Sequence, residues 1–503
     1  MDRRHFVGGA ALSVGLGAGA VRAQKEPDTL RVAWRDAIAN VDFYFNPLRT
    51  SLVVSHHVWD TLVYRDPETF QLKPQLALNW KAVDATTLEF ELRPNVLFHD
   101  GSRFSADDVM YTVDLVLTDP HLAVPTNYTF LAGAERLDDL RVRIKLKRVF
   151  PAALEYVAMV LPIYPKYYRE RVGADFSLHP VGTGPYRVLA VDGAGGLTLE
   201  RNESFFDGPK GQPAIKTVAI KAVADATSEL TALLNGEADW IWNVSADQLP
   251  RIAVMPALQT MTSESMRLAY LNMDAAGRSA AGNPMTNPKV REAVARSIDR
   301  TTMARQFMSG GSRVLDAPCF PTQFGCDAAA ATRFEYDPAR ARALLAEAGF
   351  GDGFETEIVS YLLPQWVQAV QGYLSAVGIR ARASVLPIDT VVQRSAEGRN
   401  PIEMGSWGSY SINDVSAFLP YFFDGGLHDD TRDPEITKLV DEAGATTDPD
   451  RRRAAYSDAI RLVSARSDYL PLFTYVTTYA LSRQLVFKPF RDELPRFYLA
   501  SWR

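Results

Sequence analysis

Over the first third of the chain, apolar residues fall on alternate positions in short runs bounded by turn formers. Leu30 to Trp34, Thr87 to Leu92 and Arg141 to Leu146 are therefore expected to be strands. Helical spacing intervenes after Ser105, where Val109, Val113 and Val116 share one face. That helix announces its own start. Asp100-Gly101 marks a turn, because glycine accepts positive φ without steric cost. Ser105 followed three residues later by Asp108 makes a capping box, in which each side chain satisfies a backbone N–H that the helix leaves unpaired. Val181-Gly182-Thr183-Gly184-Pro185-Tyr186 reads as a tight turn into a strand, Arg187 to Val191. A phosphate-cradling loop wants a helix N-terminus directly behind it, and Pro185 with the β-rich sequence after it points to the structural role instead.

From about residue 272 to 475 helices alternate with strands. Asn287-Pro288, Asp337-Pro338 and Asp448-Pro449 each set a capping residue before a proline at the first helical position, where a missing N–H is no loss. Gly349 and Gly378 stand where helices end, and Glu355 to Tyr361 and Arg380 to Val385 are expected to be strands. The chain is thus mixed α and β, with an alternating α/β lobe in its second half.

The N-terminus follows neither period. Asp2-Arg3-Arg4-His5-Phe6-Val7 is charged, Val7 to Val21 is apolar but broken by five glycines, and Val21-Arg22-Ala23 is a small-residue site. This order is that of an export signal, and the paired arginines resemble a twin-arginine leader. The apolar run falls short of the roughly 20 residues a bilayer span needs. Residues 1–23 are expected to be removed before Gln24, where no cysteine stands to take a lipid, leaving the mature protein free in the periplasm. Gly15-Leu16-Gly17-Ala18-Gly19 follows no strand and opens no amphipathic helix, which argues against a dinucleotide loop.

Composition changes the picture in two ways. At 503 residues, 47% hydrophobic and 23% charged, the chain exceeds what one core organises, so two or three lobes are expected. Removing residues 1–23 takes away three arginines and one aspartate, leaving 51 basic and 59 acidic residues and a net charge of −8. That balance argues against nucleic acid, whose binding rests on neutralised phosphates.

Candidate chemistry is sparse. Cys319 and Cys326, in an oxidising compartment and flanked by turn formers, are expected to close a loop as a disulfide; the alternative is two buried thiols. A metal site would need two further ligands nearby. Adjacent His56 and His57 point in different directions with no carboxylate or cysteine cluster beside them, His99 lies inside a turn, and His428-Asp429-Asp430 reads as a solvated acidic loop, so no metal and no cofactor are expected. His-Glu-x-x-His, Gly-x-Ser-x-Gly and Ser-x-x-Lys are absent from the sequence, which argues against a secreted hydrolase, the main alternative of another class.

A family resemblance is carried by Pro74-Gln75-Leu76-Ala77 with Trp80, Leu92-Arg93-Pro94-Asn95-Val96, and Phe98-His99-Asp100-Gly101. It continues through Gly182-Thr183-Gly184-Pro185-Tyr186, Asn272, Val290-Arg291-Glu292-Ala293, Ile298-Asp299-Arg300, Tyr336-Asp337-Pro338, Leu344-Leu345, Trp407 and Leu470-Pro471-Leu472-Phe473. In this order, over nearly the whole mature chain, they resemble the family 5 extracellular solute-binding proteins, which serve ABC transporters for dipeptides, oligopeptides and nickel complexes. The resemblance implies an α/β, periplasmic-binding-protein-like fold of the three-lobed cluster C type, with a ligand cleft between lobes I and III. Lobe I would comprise 24–58, 170–271 and 480–503, lobe II 59–169 and lobe III 272–479. Crossovers near Tyr270-Asn272 and Tyr475-Tyr479 would form the hinge.

Peptide-binding members commonly carry an aspartate three residues after the tryptophan that corresponds to Trp407; here that position holds Tyr410. The departure weakens a simple peptide assignment. Trp407, Ser409, Tyr410 and Asn413 on one lobe, Tyr44 and Asn46 on the other, and Tyr270 at a crossover are the expected ligand-binding residues. The implied partners are a small-molecule ligand and a membrane permease with its cytoplasmic ATPase, the protein itself being a monomer that performs no catalysis. A peptide, a modified peptide such as glutathione, an opine-like metabolite or a metal chelate would each suit the visible residues. A ligand-presenting receptor subunit for a sensor or chemoreceptor is the alternative role.

Overall fold

The structure, a computed structural model, describes residues 28–503 apart from 39 and 309; the expected export signal and its cleavage position before Gln24 lie outside the described residues. Two strands, Leu258–Met273 and Tyr469–Ser482, run antiparallel at the centre of a ten-stranded mixed sheet. At the usual strand rise each covers about 45–55 Å, enough to belong to two halves of the molecule at once. On one flank the sheet continues through Trp240–Trp242, Thr29–Trp34, Thr217–Ala222, Leu197–Arg201 and Tyr186–Val191; on the other it continues through Ile402–Trp407, Phe354–Ser360 and Ile379–Val385.

The apolar cores divide the same way. One cluster draws on residues from Leu30 to Trp242 and from Tyr479 to Ala500, with Ile412 and Ala417 reaching in from the other half. Two more lie between Leu268 and Phe473. Midway along the central pair the register slips between Glu264 and Leu268. A bulge leaves residues unpaired and bends its strand, so this is where the continuous sheet is weakest. Arg267 stands at that bulge.

The local signals act as their chemistry requires. A separate antiparallel sheet has the order Ala77–Asp84, Thr87–Leu92, Arg141–Leu146, Leu131–Asp138, and buries Phe90, Leu92, Val142 and Ile144. The helix Ala106–Thr118 begins with the capping box, the Ser105 N–H donating to Asp108 at 2.9 Å. Asn287, Asp337 and Asp448 cap Pro288–Ser297, Pro338–Glu347 and Pro449–Ala465 through their side-chain oxygens. The strands expected at 355–361 and 380–385 run Phe354–Ser360 and Ile379–Val385, parallel to one another. Cys319 and Cys326 form the disulfide.

The Gly-Thr-Gly turn is glycine-rich for a steric reason. A Cβ on Gly182 would lie 2.0 Å from the Val58 carbonyl oxygen, because the turn packs its backbone against the end of the helix Arg49–Val58. Between the glycines, Thr183 donates to buried Asp60 at 2.9 Å, and Asp60 also pairs with Lys210 at 2.7 Å. Gly182→Ala is expected to lower stability by about 1–3 kcal/mol, the usual cost of forcing extra volume into a packed interior. Urea unfolding of the two proteins measures this; coincident midpoints would show that the turn shifts aside freely.

Candidate functional site

A cavity of about 630 Å³ opens where the two halves face each other across the bulge. Arg35 and Asp36 enter it from just beyond the strand Thr29–Trp34, at the carboxyl end of a parallel strand where open α/β sheets leave a crevice. Arg49 comes from the first turn of the helix Arg49–Val58, and Trp242 to Ala246 from the end of another strand. Phe307, Leu363 and Trp366 form the opposite wall, Tyr475 to Thr478 come from the strand Tyr469–Ser482, and Arg267 with Glu493 forms the floor.

The floor is a charge network with few water-facing atoms. Glu493 accepts from Arg267 Nη2 at 3.1 Å and Nε at 3.2 Å and lies 3.5 Å from Arg49. Burial pushes its carboxyl up, but Arg267 and Arg49 outweigh that and leave it below its ordinary value. Beneath it, Asp492 is fully buried between Arg65 at 2.9 Å and Arg496 at 2.6 Å. Burial acts upward there as well, and Arg496 and Arg65 reverse it. A buried carboxylate is stable only with such partners.

Above the network, Ser409, Tyr410 and Ser411 have φ of +50°, +47° and +64°. A non-glycine residue in this region is disfavoured by about 1–2 kcal/mol, so a run of three persists only where surroundings over-determine it. They do so from two sides. From one half, Arg49 donates to Ser411 Oγ at 2.6 Å, Ser411 Oγ donates to the Asp492 carbonyl at 2.6 Å, and Arg65 donates to the Ser411 carbonyl. Glu155 accepts the Asn413 N–H at 3.2 Å. From the other, the disulfide loop supplies Gln323 Nε2 to the Ile412 carbonyl at 2.9 Å and the Phe324 N–H to the Asn413 carbonyl at 3.0 Å. A Cβ on Gly408 would lie 2.9 Å from Arg267 Nη2, so glycine there lets the guanidinium rest against the loop.

None of the expected ligand-binding residues is among those lining the cavity; they sort into three places around it. Trp407, Ser409, Tyr410 and Asn413 belong to this loop and the strand end before it. Trp407 donates Nε1 to the Ala417 carbonyl at 3.1 Å and packs on Tyr421, while Tyr410 stands edge-on to Trp407 and is 44% exposed. Ser409 is buried, and among the described residues Asn413 Oδ1 has no hydrogen-bond partner. Tyr270 lies buried below, stacked on Tyr469 and donating to Glu403 at 2.9 Å. Tyr44 is enclosed by Phe43, Tyr128 and Tyr164 and donates to the Pro162 carbonyl at 2.7 Å. Asn46 ties the turn before Arg49, donating to the Asn40 carbonyl at 2.7 Å and accepting the Leu48 N–H at 3.0 Å.

The cleft arginines, Asp36, Asp492 and Glu493 were not singled out from the sequence. They stand in loops, at element ends and at a bulge, where no period marks them. One local hint existed, Asp492-Glu493 with Arg496 inside an otherwise aromatic tail.

His99 and His428 are engaged in contacts within the fold. His99 accepts the Gly182 N–H on Nδ1 at 3.2 Å and bonds the Gly184 carbonyl through Nε2 at 3.0 Å. His428 stacks on Tyr421, but the loop after it is not the solvated acidic one expected: Asp429 and Asp430 are buried, Asp429 accepting backbone N–H groups of Gly425, Thr431 and Arg432 and Asp430 pairing with Arg278 at 2.7 Å.

Comparison with known proteins gives this geometry a context. Residues 71–429 match the bacterial extracellular solute-binding proteins, family 5 Middle. The glutathione-binding protein GsiB of Salmonella paratyphi A is 27% identical over 426 residues, 80% of each chain. HbpA2 from Haemophilus parasuis has a TM-score of 0.81 at 22% identity, covering 94% of this chain and 100% of its own. MoaA from A. tumefaciens R10, in complex with mannopinic acid, has a TM-score of 0.77 at 22% identity, covering 94% and 99%. The fold is therefore that of the periplasmic binding proteins, as the resemblance implied.

His57 offers a test of how the floor is held. Its Nδ1 donates to the Val53 carbonyl at 2.7 Å and its Nε2 accepts the Phe497 N–H at 2.9 Å, which fixes a neutral ring between the helix bearing Arg49 and the segment bearing Asp492. Burial, offset in part by the Val53 bond, lowers its pKa to about 3. With an unfolded value near 6.5, its contribution is fully present above about pH 6.5. It falls by up to about 1.4 kcal/mol per unit as pH drops toward 3, because only the unfolded chain takes the proton in that window. His57→Gln should therefore lose stability less steeply than the parent between pH 6.5 and 4.5, read by urea unfolding at each pH. Parallel slopes would remove His57 from the account.

Proposed function

We propose that this chain, which belongs to the bacterial extracellular solute-binding proteins of family 5, is the periplasmic substrate-binding component of an ABC importer. It captures a small organic solute in the cleft, closes over it and delivers it to a permease driven by a cytoplasmic ATPase, without covalent chemistry. The observation that carries this reading is the position of the cavity astride the bulge, lined from both halves. Rotation at such a joint changes the cavity more than it disturbs either core, and a ligand touching both walls shifts the balance toward closure.

In this reading, lobe I is 24–58, 170–271 and 480–503, lobe II is 59–169 and lobe III is 272–479. The loop Ser409 to Asn413 is the clasp of lobe III on the other two. Tyr410 and Trp407 present rings to the solute, Ser409 and Asn413 shape the arc, and Tyr44, Asn46 and Tyr270 support the walls from behind. Glutathione, named for one relative, and mannopinic acid, bound to another, are small enough for a cavity of about 630 Å³.

The mature protein is a monomer in the periplasm after cleavage before Gln24, and it binds no nucleic acid. No helix among the described residues is long and apolar enough to cross a membrane.

Mass spectrometry of whatever co-purifies identifies the solute, and a thermal-shift series with it follows, since ligand at 100 times Kd adds about 2.7 kcal/mol. Replacing both Trp407 and Tyr410 with Ala should abolish that shift while the unliganded protein unfolds cooperatively as before. A surviving shift would move the site elsewhere. Deleting the gene should stop uptake of the identified solute; unchanged uptake would sink the transport role, and product released in excess of the protein would indicate turnover.

A further inference from the structure

The three arginines that line the cleft are not equally served. Arg35 pairs with Glu229 behind the wall at 3.3 Å, Asp36 accepts from the Thr50 hydroxyl at 3.0 Å, and Arg49 and Arg267 share the single carboxylate of Glu493. These last two arginines keep unfilled donor positions. Among the described residues, Arg49 Nε is buried without a hydrogen-bond partner. Arg267 spends Nε and Nη2 on Glu493, while its Nη1 reaches Ser406 Oγ only at 3.4 Å. With 28% of its side chain still exposed, Arg267 retains an edge turned to the cavity. Aromatic walls from Trp242, Trp366 and Tyr475 lower the local dielectric, which strengthens whatever field the floor carries.

We propose that Arg267 is the specificity-determining residue of the cleft and that the solute is a small organic anion, one carboxylate of which takes the free edge of Arg267. This rests on the solute-binding reading above. The planar, forked guanidinium matches the paired oxygens of a carboxylate, the group carried by small organic acids, as it does those of a phosphate. The placement also couples recognition to closure, because Arg267 sits at the bulge, pairs with Glu493 of the first half and lies against Gly408 at the base of the strained loop. A solute without a negative group would leave the open edge of Arg267 without a partner as water is expelled, and a cationic one would be repelled by it.

The sign of the charge effect separates this from a packing role. A small-molecule extract of bacterial cells is split on an anion-exchange column at pH 7.5, and each fraction is tested by thermal shift on the full mature chain. The stabilising activity is expected in the retained fraction. With that fraction, Arg267→Gln should need at least tenfold more material for the same shift. Glu493→Gln should need several-fold less, since it removes an anion that competes for Arg267.

Should Arg267→Gln fail to fold, the double variant Arg267→Gln with Glu493→Gln removes both charges and carries the same expectation of lost binding. Stabilisation by the unretained fraction, or its abolition by Glu493→Gln with Arg267→Gln unaffected, overturns the anion assignment and leaves solute binding standing. Failure of every fraction to stabilise the parent chain overturns the solute-binding reading itself.

Discussion

The rest of the site depends on one buried carboxylate. Asp492 has no exposed side-chain surface and is held between Arg65 and Arg496. Stranding any member of such a trio in the interior is costly, on the order of 3–5 kcal/mol when a partner is removed. The three must therefore stay together, and together they nail an aromatic C-terminal segment to the chain near residue 65. Once the segment is fixed, the Asp492 carbonyl faces Arg49 and Ser411, and the next residue, Glu493, is delivered to the cleft floor. The ion trio thus sets the position of the groups that floor the cavity and hold the loop above it.

Much of the architecture was readable because its causes are local. Ser105 and Asp108 satisfy each other across three residues, and Asn287, Asp337 and Asp448 act within one turn of the helices they start. The strands Thr87–Leu92 and Arg141–Leu146 alternate because one face is buried. Boundaries drifted where tertiary contacts intervened. The strand expected to reach Tyr361 stops at Ser360, and the Tyr361 hydroxyl instead donates to the Ser406 carbonyl at 2.8 Å. The bulge at Glu264 to Leu268 left no trace in the pattern, since Ser265 and Arg267 are as compatible with a regular strand as with an interrupted one.

Less of the candidate site was readable. Trp407, Ser409, Tyr410 and Asn413 stood out as a segment, but neither they nor Tyr44, Asn46 and Tyr270 are among the residues that line the cavity. Their backbone was not foreseeable: three successive residues at positive φ normally invite glycine or asparagine, and Ser-Tyr-Ser offers neither. The arginines were invisible for a different reason. Arg35, Arg49, Arg65, Arg267 and Arg496 are scattered over most of the chain, and only the completed fold brings them to one place. Long-range charge complementarity has no period.

The strain in the loop and the network beneath it belong to one balance. Holding Ser409 to Ser411 in place opposes a penalty of about 1–2 kcal/mol per residue, met by bonds from Arg49, Arg65, Asp492 and Glu155 on one side and from the disulfide loop on the other. Under the proposed division into lobes, the disulfide-loop bonds lie within lobe III and would survive an opening, whereas the others cross between lobes and would be lost with it. The clasp is therefore favourable by the bonds it gains and unfavourable by the strain those bonds hold, two quantities of similar size. A joint balanced in this way needs only a modest difference in affinity to tip, because moving an equilibrium from even to ninety-nine parts in a hundred takes about 2.7 kcal/mol. A solute bridging Arg267 and the aromatic wall is within reach of supplying it, and without the solute the same strain favours release of the clasp.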